Sequence, residues 1–255
     1  MINGIENLKI NGDGFMKINI VIPVLNEERA LVNGVEKTIK FLDSSSWKSN
    51  YIITIADNGS IDRTPEISKE LCAKYEKIKY FKVQRRGVGL AFREAIQRND
   101  CDIVGYMDVD LATDLKHLQD VYEKFQNEKA MIVVGSRLAP GAKVVGRSLK
   151  REITSRGLNI ILHLLLHVKF SDAMCGFKFY RDHTARQLIK ACNQIDGWFF
   201  CAEMMIRAEW AGLTVEEVAV EWHDDPDSRV KIAKLSTSYL KEILNLYQEK
   251  RKWRK

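Results

Sequence analysis

Residues 104–111, Val-Gly-Tyr-Met-Asp-Val-Asp-Leu, are the most informative stretch, because an apolar run ends there in two carboxylates. Asp108 and Asp110 are separated by one residue, and residues two apart on a strand point to the same side. We therefore expect both side chains at the C-terminal end of a strand, where open α/β sheets bind ligands. Two hard oxygen ligands suit Mg²⁺ or Mn²⁺, which complete their coordination with substrate phosphates and water. The alternative is a pair of solvated acids, since Asp-x-Asp alone is a weak motif.

The first half of the chain alternates apolar β-rich runs with helical patterns. Strands are predicted at 17–24, 51–56, 78–83, 102–110 and 131–135, with helices of about ten residues between them. This alternation predicts an α/β fold with a mainly parallel sheet and helices on both faces. Polar clusters follow the strands and should share one edge of the sheet: Asn26/Glu27, Asp57/Asn58, Arg85/Arg86, Asp108/Asp110 and Arg137.

The second half is more mixed. Residues 137–156 are basic and contain glycine and proline, which predicts a mobile loop. An apolar helix is predicted at 158–168, followed by a strand within 171–182, two helices, and a strand at 215–222. A polar loop at 223–229 then leads to a final amphipathic helix and a basic tail. Residues 1–15 are expected to be an extension outside the fold.

Composition sets broad limits on function. The chain has 255 residues and a net charge of +6, which suits nucleic acid, a membrane surface or a phosphate-rich substrate. No nucleic-acid-binding motif is present. Its five scattered cysteines indicate reduced thiols in a cytosolic setting. We expect neither a signal peptide nor a membrane-spanning helix, because no uninterrupted apolar run reaches about 18 residues.

Three further patterns each leave alternatives. His163 and His167 have the spacing of a helical zinc pair, but they lack the accompanying glutamate, so a structural stripe is favoured. The glycines at 87 and 89 indicate either a phosphate-binding turn or a plain helix start. The basic 143–156 segment, the apolar 158–168 helix and the basic tail suggest an anionic membrane surface, although the helix could equally be buried in the core.

Several arginines are candidates to neutralise a pyrophosphate. They are Arg137, Arg229 and the Arg85/Arg86 pair, and Arg137 directly ends a predicted strand at the expected active edge. Charge runs are more often solvated faces, so position is the argument that favours Arg137.

Six motifs in order resemble those of family 2 glycosyltransferases of the polyprenyl-phosphate type. They are VIPVLNEE (21–28), ADNGSIDRT (56–64), RRGVGLAFREA (85–95), MDVDLAT (107–113), GSRL (135–138) and DAMCGFKFYR (172–181). The resemblance covers residues 17–230. The phrases DLAT and CGFK resemble the dolichyl-phosphate glucosyl type, whereas the mannosyl type usually carries Gln where this chain has Ala112.

The resemblance implies a GT-A fold and a set of site residues. A nucleotide-sugar-binding half at 17–138 and an acceptor half at 139–255 would form one domain. Asp108 and Asp110 would bind the metal. Asn58 and Cys201 stand where the family usually has acids, and His223 stands where it often has a cation. The implied substrate contacts are Pro23, Leu25 and Glu27 for the nucleoside, Asp57 for base or ribose, Asp108 for ribose, Asp110 for the metal under the pyrophosphate, and Arg137, His223 and Arg229 near phosphates. Arg86 is a further candidate substrate contact because of its charge and its place after a predicted strand.

The implied activity is a metal-dependent, inverting transfer of a hexose to a polyprenyl phosphate, with Mg²⁺ or Mn²⁺ as cofactor. Glucose from UDP-glucose is the expected donor sugar, and the cytoplasmic membrane face is the expected location. Alternatives are a GDP-mannose-dependent enzyme, a glycosyltransferase with a soluble acceptor, and a nucleotide-sugar-binding scaffold without turnover. Asp108, Asp110, Arg137 and Arg229 are the expected catalytic residues.

Overall fold

The computed structural model describes residues 16–126, 130–224 and 232–253, and for residues 232–237 and 251–253 it describes the backbone alone. The extension predicted for residues 1–15 and the predicted site residue Arg229 lie outside this part of the chain.

The N-terminal half alternates strands and helices as predicted. Four of its five strands are short apolar runs that are almost completely buried, because a parallel strand inside the sheet is covered by helices on both faces. The elements are β1 Ile18–Val24, α1 Leu31–Asp43, β2 Tyr51–Asp57, α2 Thr64–Lys74, β3 Ile78–Lys82, α3 Val88–Gln97, β4 Ile103–Met107, α4 His117–Gln126 and β5 Ile132–Ser136.

The C-terminal half adds strands to the same sheet and covers one of its faces. Its elements are β6 Lys143–Val145, α5 Leu149–Leu166, β7 Phe177–Arg181, α6 Asp182–Ala191, α7 Phe199–Trp210, β8 Val215–Ala219, β9 Glu221–His223 and α8 Ile232–Trp253. In the described residues the central sheet has the strand order β3-β2-β1-β4-β7-β5-β8. Strand β7 runs antiparallel to β4 and β5, and the other pairs are parallel.

Strand order reverses between β1 and β4. The chain moves outward from β1 to β2 and β3, then returns to place β4 on the other side of β1. Such a switch point leaves a crevice at the carboxyl ends of the two strands, where open α/β sheets bind ligands. The turn after β4 carries Asp108 and Asp110, so the fold positions both carboxylates at this crevice.

Two apolar cores lie on opposite faces of the sheet. One core joins the sheet to α3, α5, α6, α7 and α8, and the other joins it to α1, α2 and α4. The predicted mainly parallel α/β architecture with helices on both faces is therefore confirmed.

The structure differs from the prediction in three places. Strand β4 ends at Met107, so Asp108 and Asp110 lie in a turn and not on the strand. The predicted strand 215–222 is divided at Val220 into β8 and β9, which pair with different partners. Much of the predicted loop 137–156 is ordered, because β6 pairs with β9 and helix α5 already begins at Leu149.

Helix α5 has one buried face and one exposed face, so the core interpretation and the membrane-surface interpretation each describe one side of it. Leu162 and Leu166 are buried in the core, whereas Leu149 and Leu164 are exposed. The stripe of Asn159 and His163 is structural: Asn159 accepts a hydrogen bond from Ala173 N at 2.9 Å, and His163 Nε2 lies 2.8 Å from the Phe170 carbonyl oxygen. Within the described ranges, no group of three His, Cys, Asp or Glu side chains is placed to hold a metal ion.

Candidate active site

The Asp108–Leu111 turn closes the carboxyl end of β4. Leu111 has a φ of 56°, an uncommon left-handed conformation for a non-glycine residue. Asp110 Oδ1 accepts a hydrogen bond from Ala112 N at 3.0 Å, which stabilises the turn. Asp108 is half-buried and Asp110 is exposed. One carboxylate therefore lies inside the crevice and the other at its mouth.

Two glycines hold this turn in place. The β4–β7 register pairs Met107 with Phe177, and extending it by one residue places Gly176 opposite Asp108. A Cβ on Gly176 would lie 2.0 Å from Asp108 Oδ2, so no other residue fits against this carboxylate without displacing it. On the other side, a Cβ on Gly34 would lie 2.3 Å from the Val109 carbonyl oxygen. Helix α1 and the start of β7 thus clamp the turn between them.

The charges around Asp108 show which groups converge on the crevice. Burial and the neighbouring Asp110 raise the pKa of Asp108 to about 7, and Glu27 raises it further, whereas Arg137 and Lys178 oppose the shift. Glu27 follows β1, Asp110 follows β4 and Arg137 follows β5. The predicted convergence of these strand ends is therefore present in the structure.

The carboxylate pair fits a divalent cation. Asp110 raises the proton affinity of Asp108, and a hard cation bound beside the two carboxylates would relieve this repulsion. Since no third protein ligand of the usual types joins them in the described residues, a bound ion would take its remaining ligands from water and substrate. That ligand set is the one Mg²⁺ usually has beside phosphates.

Arg137 is held rigidly beside the crevice. Its Nε and Nη2 donate to the Asp172 carboxylate at 2.7 and 3.0 Å, and its backbone N donates to Asp172 Oδ2 at 3.2 Å. The guanidinium carbon lies 4.8 Å from the ring centroid of Trp222. Burial works against the ionised form of Asp172, but Arg137 outweighs it and lowers the pKa of Asp172 to about 2. The pair is therefore charged at neutral pH.

Lys178 is a buried cation under the same site. Its Nζ donates to the Cys175 carbonyl oxygen and lies 5.8 Å from the Tyr106 ring centroid. Burial lowers the pKa of Lys178 below its usual range. The hydrogen bond ties β7 to the turn that carries Gly176, so Lys178 fixes the approach of that turn to Asp108.

The nucleoside end of the predicted site is built around Asp57, which is fully buried. Its Oδ1 accepts from Gly59 N and Ser60 N at 3.1 and 2.7 Å, and its Oδ2 accepts from the Tyr80 hydroxyl at 3.0 Å. The turn after β2 is joined to β1 by the 2.8 Å hydrogen bond from Asn58 N to the Val24 carbonyl oxygen. Asp57 thus organises this turn, and a direct contact with base or ribose stays a prediction.

The glycine turn before α3 is a helix start. Gly87 N donates to Asn58 Oδ1, and Gly89 N donates to the Asp196 carbonyl oxygen at 2.7 Å. These amides are consequently unavailable to a phosphate. Of the two predicted alternatives, the structure shows the plain helix start and not the phosphate-binding turn. Arg86 is exposed at this edge of the sheet.

Strand β9 joins the carboxylate turn to the acceptor half. His223 N donates to the Ala112 carbonyl oxygen at 2.8 Å, and Thr113 forms a bridge with Trp222. The His223 side chain is exposed and lies 3.4 Å from Glu221 Oε1. Pro23 and Leu25 are half-buried at the end of β1. Their roles as substrate contacts stay predictions.

Four residues near the crevice were missed as site residues by the sequence interpretation: Asp172, Gly176, Lys178 and Trp222. Three of them lie in the segment DAMCGFK, where acidic and basic residues flank an otherwise apolar run. That charge placement was the available signal, since charged residues are rarely buried unless they are paired. The buried carboxylate of Glu203 in the acceptor half is not at the crevice turn and accepts hydrogen bonds from Arg207 on the same helix.

Replacing Gly176 by alanine is expected to displace Asp108 and lower any activity that depends on it by roughly 100-fold, because small displacements of reacting groups have effects of that size. Overpacking should also reduce the free energy of unfolding by about 1–3 kcal/mol. Thermal unfolding and turnover should both be measured.

Gly157→Ala is the matched control for this change. Gly157 lies within helix α5, and a Cβ there would meet no atom within 4 Å. Its substitution should stabilise the protein by about 0.5–1 kcal/mol, because alanine favours a helix interior over glycine. Equal behaviour of the two variants would contradict the close approach of Gly176 to Asp108.

The chain matches one family model over most of its length. The model described as Glycosyl transferase family 2 matches residues 19–189. Glycosyltransferase AglD of Haloferax volcanii is 32% identical over 220 residues, 86% of this chain but only 35% of that relative, so the chain spans little more than a third of it. The dolichyl-phosphate beta-glucosyltransferase of Dictyostelium discoideum is 29% identical over 240 residues, 90% of this chain and 73% of that protein.

Solved structures share the fold at low sequence identity. Glucosyl-3-phosphoglycerate synthase from Mycobacterium tuberculosis, crystallised with Mn²⁺, UDP and glucosyl-3-phosphoglycerate, is 18% identical with a TM-score of 0.64, covering 90% of this chain and 79% of that one. Mannosyl-3-phosphoglycerate synthase from Rubrobacter xylanophilus is 17% identical with a TM-score of 0.63, covering 92% and 76%. These neighbours confirm the predicted GT-A architecture.

Proposed function

The chain belongs to glycosyl transferase family 2, and we propose that it transfers a hexose, with inversion, from a nucleotide sugar to a polyprenyl phosphate. The observation that carries the proposal is the meeting of Asp108, Asp110 and Arg137 at the β1/β4 crevice. Relatives named dolichyl-phosphate beta-glucosyltransferases support glucose as the sugar and a lipid phosphate as the acceptor. The neighbour crystallised with UDP and Mn²⁺ supports a uridine donor and a divalent ion.

The proposed chemistry needs charge stabilisation more than proton transfer. Asp108 and Asp110 would hold Mg²⁺ or Mn²⁺, which when bound neutralises charge on a departing nucleoside diphosphate. Arg137, fixed by Asp172, would add a preorganised positive charge on the side of β5. An acceptor phosphate has a second pKa of about 6 and is ionised at neutral pH. It therefore needs no strong general base.

The test is product formation from a short-chain polyprenyl phosphate, with UDP-glucose and GDP-mannose in parallel, Mg²⁺ or Mn²⁺, and EDTA as control. We expect a glycolipid from UDP-glucose that is lost with EDTA. A product only from GDP-mannose would favour the mannosyl alternative. Release of nucleoside diphosphate without glycolipid would favour a soluble acceptor. Donor binding without turnover on any acceptor would indicate a scaffold.

An exposed apolar stripe on α5 supports a peripheral location on an anionic membrane. Leu149, Ile153, Ile160 and Leu164 are 74%, 62%, 55% and 69% exposed, and their spacing places them on one helix face. Exposed Lys143, Lys150 and Arg156 lie along this segment, where they would meet lipid phosphates. No helix in the described ranges has the length and apolarity to cross a bilayer. The free thiols of all five cysteines support the cytoplasmic face.

Replacing Leu149 and Ile153 together by glutamine is expected to weaken binding to phosphatidylserine vesicles by at least ~10-fold, because each buried aliphatic side chain contributes on the order of 1.5 kcal/mol or more. Sedimentation with vesicles measures this change. Ile61, which is 92% exposed after β2, provides the control substitution Ile61→Gln, expected to bind as the unmodified protein does. Equal loss in both variants would contradict the assignment of the stripe.

A further inference from the structure

Arg147 is buried in the acceptor half, and some of its N–H groups have no hydrogen-bond partner among the described residues. Its side chain is 9% exposed, and it directly precedes the N-cap residue of α5, Ser148. Its Nε lies 3.4 Å from Glu152 Oε2 without forming a hydrogen bond. Neither Nε nor Nη1 has a hydrogen-bond partner among the described residues. Such groups are costly to bury unpaired, which makes Arg147 a strong candidate for a ligand contact.

Two other buried donors, on segments joined to the strand before Arg147, also have no hydrogen-bond partner in the described part of the chain. They are the Trp222 Nε1–H and the Thr113 hydroxyl. Thr113 and Trp222 are bridge partners, and Trp222 pairs with Val144 in the β6–β9 ladder that leads to Arg147. The ring of Trp222 lies under Arg137. The pairings therefore place Thr113, Trp222 and the segment that leads to Arg147 side by side, next to the Arg137 guanidinium.

The charges in this region favour an anion. Four arginines are ion-paired with three carboxylates here: Arg137 with Asp172, Arg147 and Arg156 with Glu152, and Arg151 with Asp224. Burial and the nearby charge of Arg137 lower the pKa of Arg147, which is the response of a cation whose charge is incompletely compensated. The N-terminal turn of α5 adds the positive end of a helix dipole.

Arg137 is shared by this cluster and the carboxylates. It interacts electrostatically with Asp108 and with Arg147, and its guanidinium lies over the Trp222 ring. The charge of Arg137 therefore acts both on an anion at Asp108 and Asp110 and on an anion at Arg147. This arrangement suits a reaction that brings a diphosphate leaving group and a phosphate nucleophile to the same centre.

We propose that Arg147, with Trp222 Nε1 and the Thr113 hydroxyl, forms an anion subsite that binds the phosphate group of the acceptor and distinguishes it from an uncharged alcohol. The assignment of this anion as the acceptor rests on the proposed function. The existence of the subsite does not, because it rests on buried donors that any phosphate monoester can satisfy.

The experiment compares Arg147→Met with Arg147→Lys, each checked by thermal unfolding. In Arg147→Met, the KM for a short-chain polyprenyl phosphate should rise by roughly 10- to 100-fold, the value of a charged hydrogen bond, whereas the KM for the donor should change little. Arg147→Lys should restore part of the loss. Calorimetry with inorganic phosphate measures binding without any reaction. The affinity should be highest for the unmodified protein, lower for Arg147→Lys and lowest for Arg147→Met. Arg98→Met, which removes an exposed arginine paired with Glu94 outside the acceptor half, is the control and should leave both parameters unchanged.

A second pair of variants keeps the test decisive if Arg147→Met does not fold. Glu152→Gln removes the carboxylate that competes for Arg147 and should tighten phosphate binding by about twofold to fivefold, the usual value of one partly exposed ion pair. Trp222→Phe keeps the ring under Arg137 but deletes Nε1, and should weaken phosphate binding by roughly fivefold.

The outcomes separate the two proposals. If the unmodified protein binds inorganic phosphate through Arg147 but never glycosylates a lipid phosphate, the proposed function fails and the subsite stands. If Arg147→Met folds and binds phosphate as the unmodified protein does, or if donor and acceptor KM rise equally, the subsite is overturned. Weaker phosphate binding in Glu152→Gln would overturn it as well.

Discussion

Asp110→Asn is expected to lower the rate of glycosyl transfer by roughly 1000-fold, the upper range for removing one group that stabilises developing charge. Asparagine keeps an oxygen that can accept the hydrogen bond from Ala112 N, so the turn should persist. It removes the negative charge that would hold a divalent ion beside Asp108. The rate should be measured across a range of Mg²⁺ and Mn²⁺ concentrations, because weaker metal binding predicts partial recovery at high concentration.

Asp114→Asn is the matched control. Asp114 follows Asp110 by four residues, and its Oδ1 accepts a hydrogen bond from Lys116 N at 2.9 Å, outside the crevice. Its substitution removes the same charge from the same segment and should leave the rate within about twofold, since an exposed ion pair contributes little. A fully active Asp110→Asn protein would overturn the metal assignment, and equal losses in both variants would point to the net charge of the segment instead.

Local sequence was sufficient to predict the N-terminal half of the fold. Its strands are continuous apolar runs bounded by polar turns, and α2 begins with Thr64 followed by a proline. These signals are local in sequence, so they can be recognised without knowing which strands or helices each segment packs against. The same runs also predicted that Glu27, Asp108, Asp110 and Arg137 would meet, because parallel strands bring their carboxyl ends to one edge.

The geometry of the carboxylate pair could not be predicted in this way. A period-two argument assumes that the strand continues through Asp110, but β4 stops at Met107. The turn that follows depends on Gly34 and Gly176, which are distant in sequence and leave space for it. Alternation along the chain carries no information about such approaches.

The acceptor half was harder to predict because its order depends on long-range partners. The basic segment after Arg137 has the composition of a loop, yet β6 is ordered by pairing with β9 about 80 residues later, as the register of Lys143 with Glu221 shows. Arg137 itself was predicted from its position, but its partner Asp172 lies 35 residues away. A single acid in a mixed segment gives no indication of that pairing.

Asp172→Asn is expected to lower the free energy of unfolding by about 3–5 kcal/mol, because it leaves Arg137 buried without its counter-charge. Both side chains of this pair are almost completely buried, so water cannot replace the lost carboxylate. The guanidinium should also lose its fixed orientation above Trp222, which we expect to lower turnover by roughly 100-fold. Urea unfolding at neutral pH and the rate at saturating donor measure the two effects.

The pH dependence of this stability difference distinguishes a charge effect from a packing effect. The folded pKa of Asp172 is about 2, below the ordinary value of 3.8, so its stabilisation is present above pH ~4 and is lost as pH falls through the folded value. The difference in the free energy of unfolding between the unmodified protein and Asp172→Asn should therefore stay constant from about pH 5 to 8 and become smaller in acid. Asp100→Asn, which breaks the exposed pair with Lys79, is the control and should cost less than about 1 kcal/mol. A gap that stays constant down to pH ~2 would mean that Asp172 acts through shape and hydrogen bonding alone, and the electrostatic account of Arg137 would then be wrong.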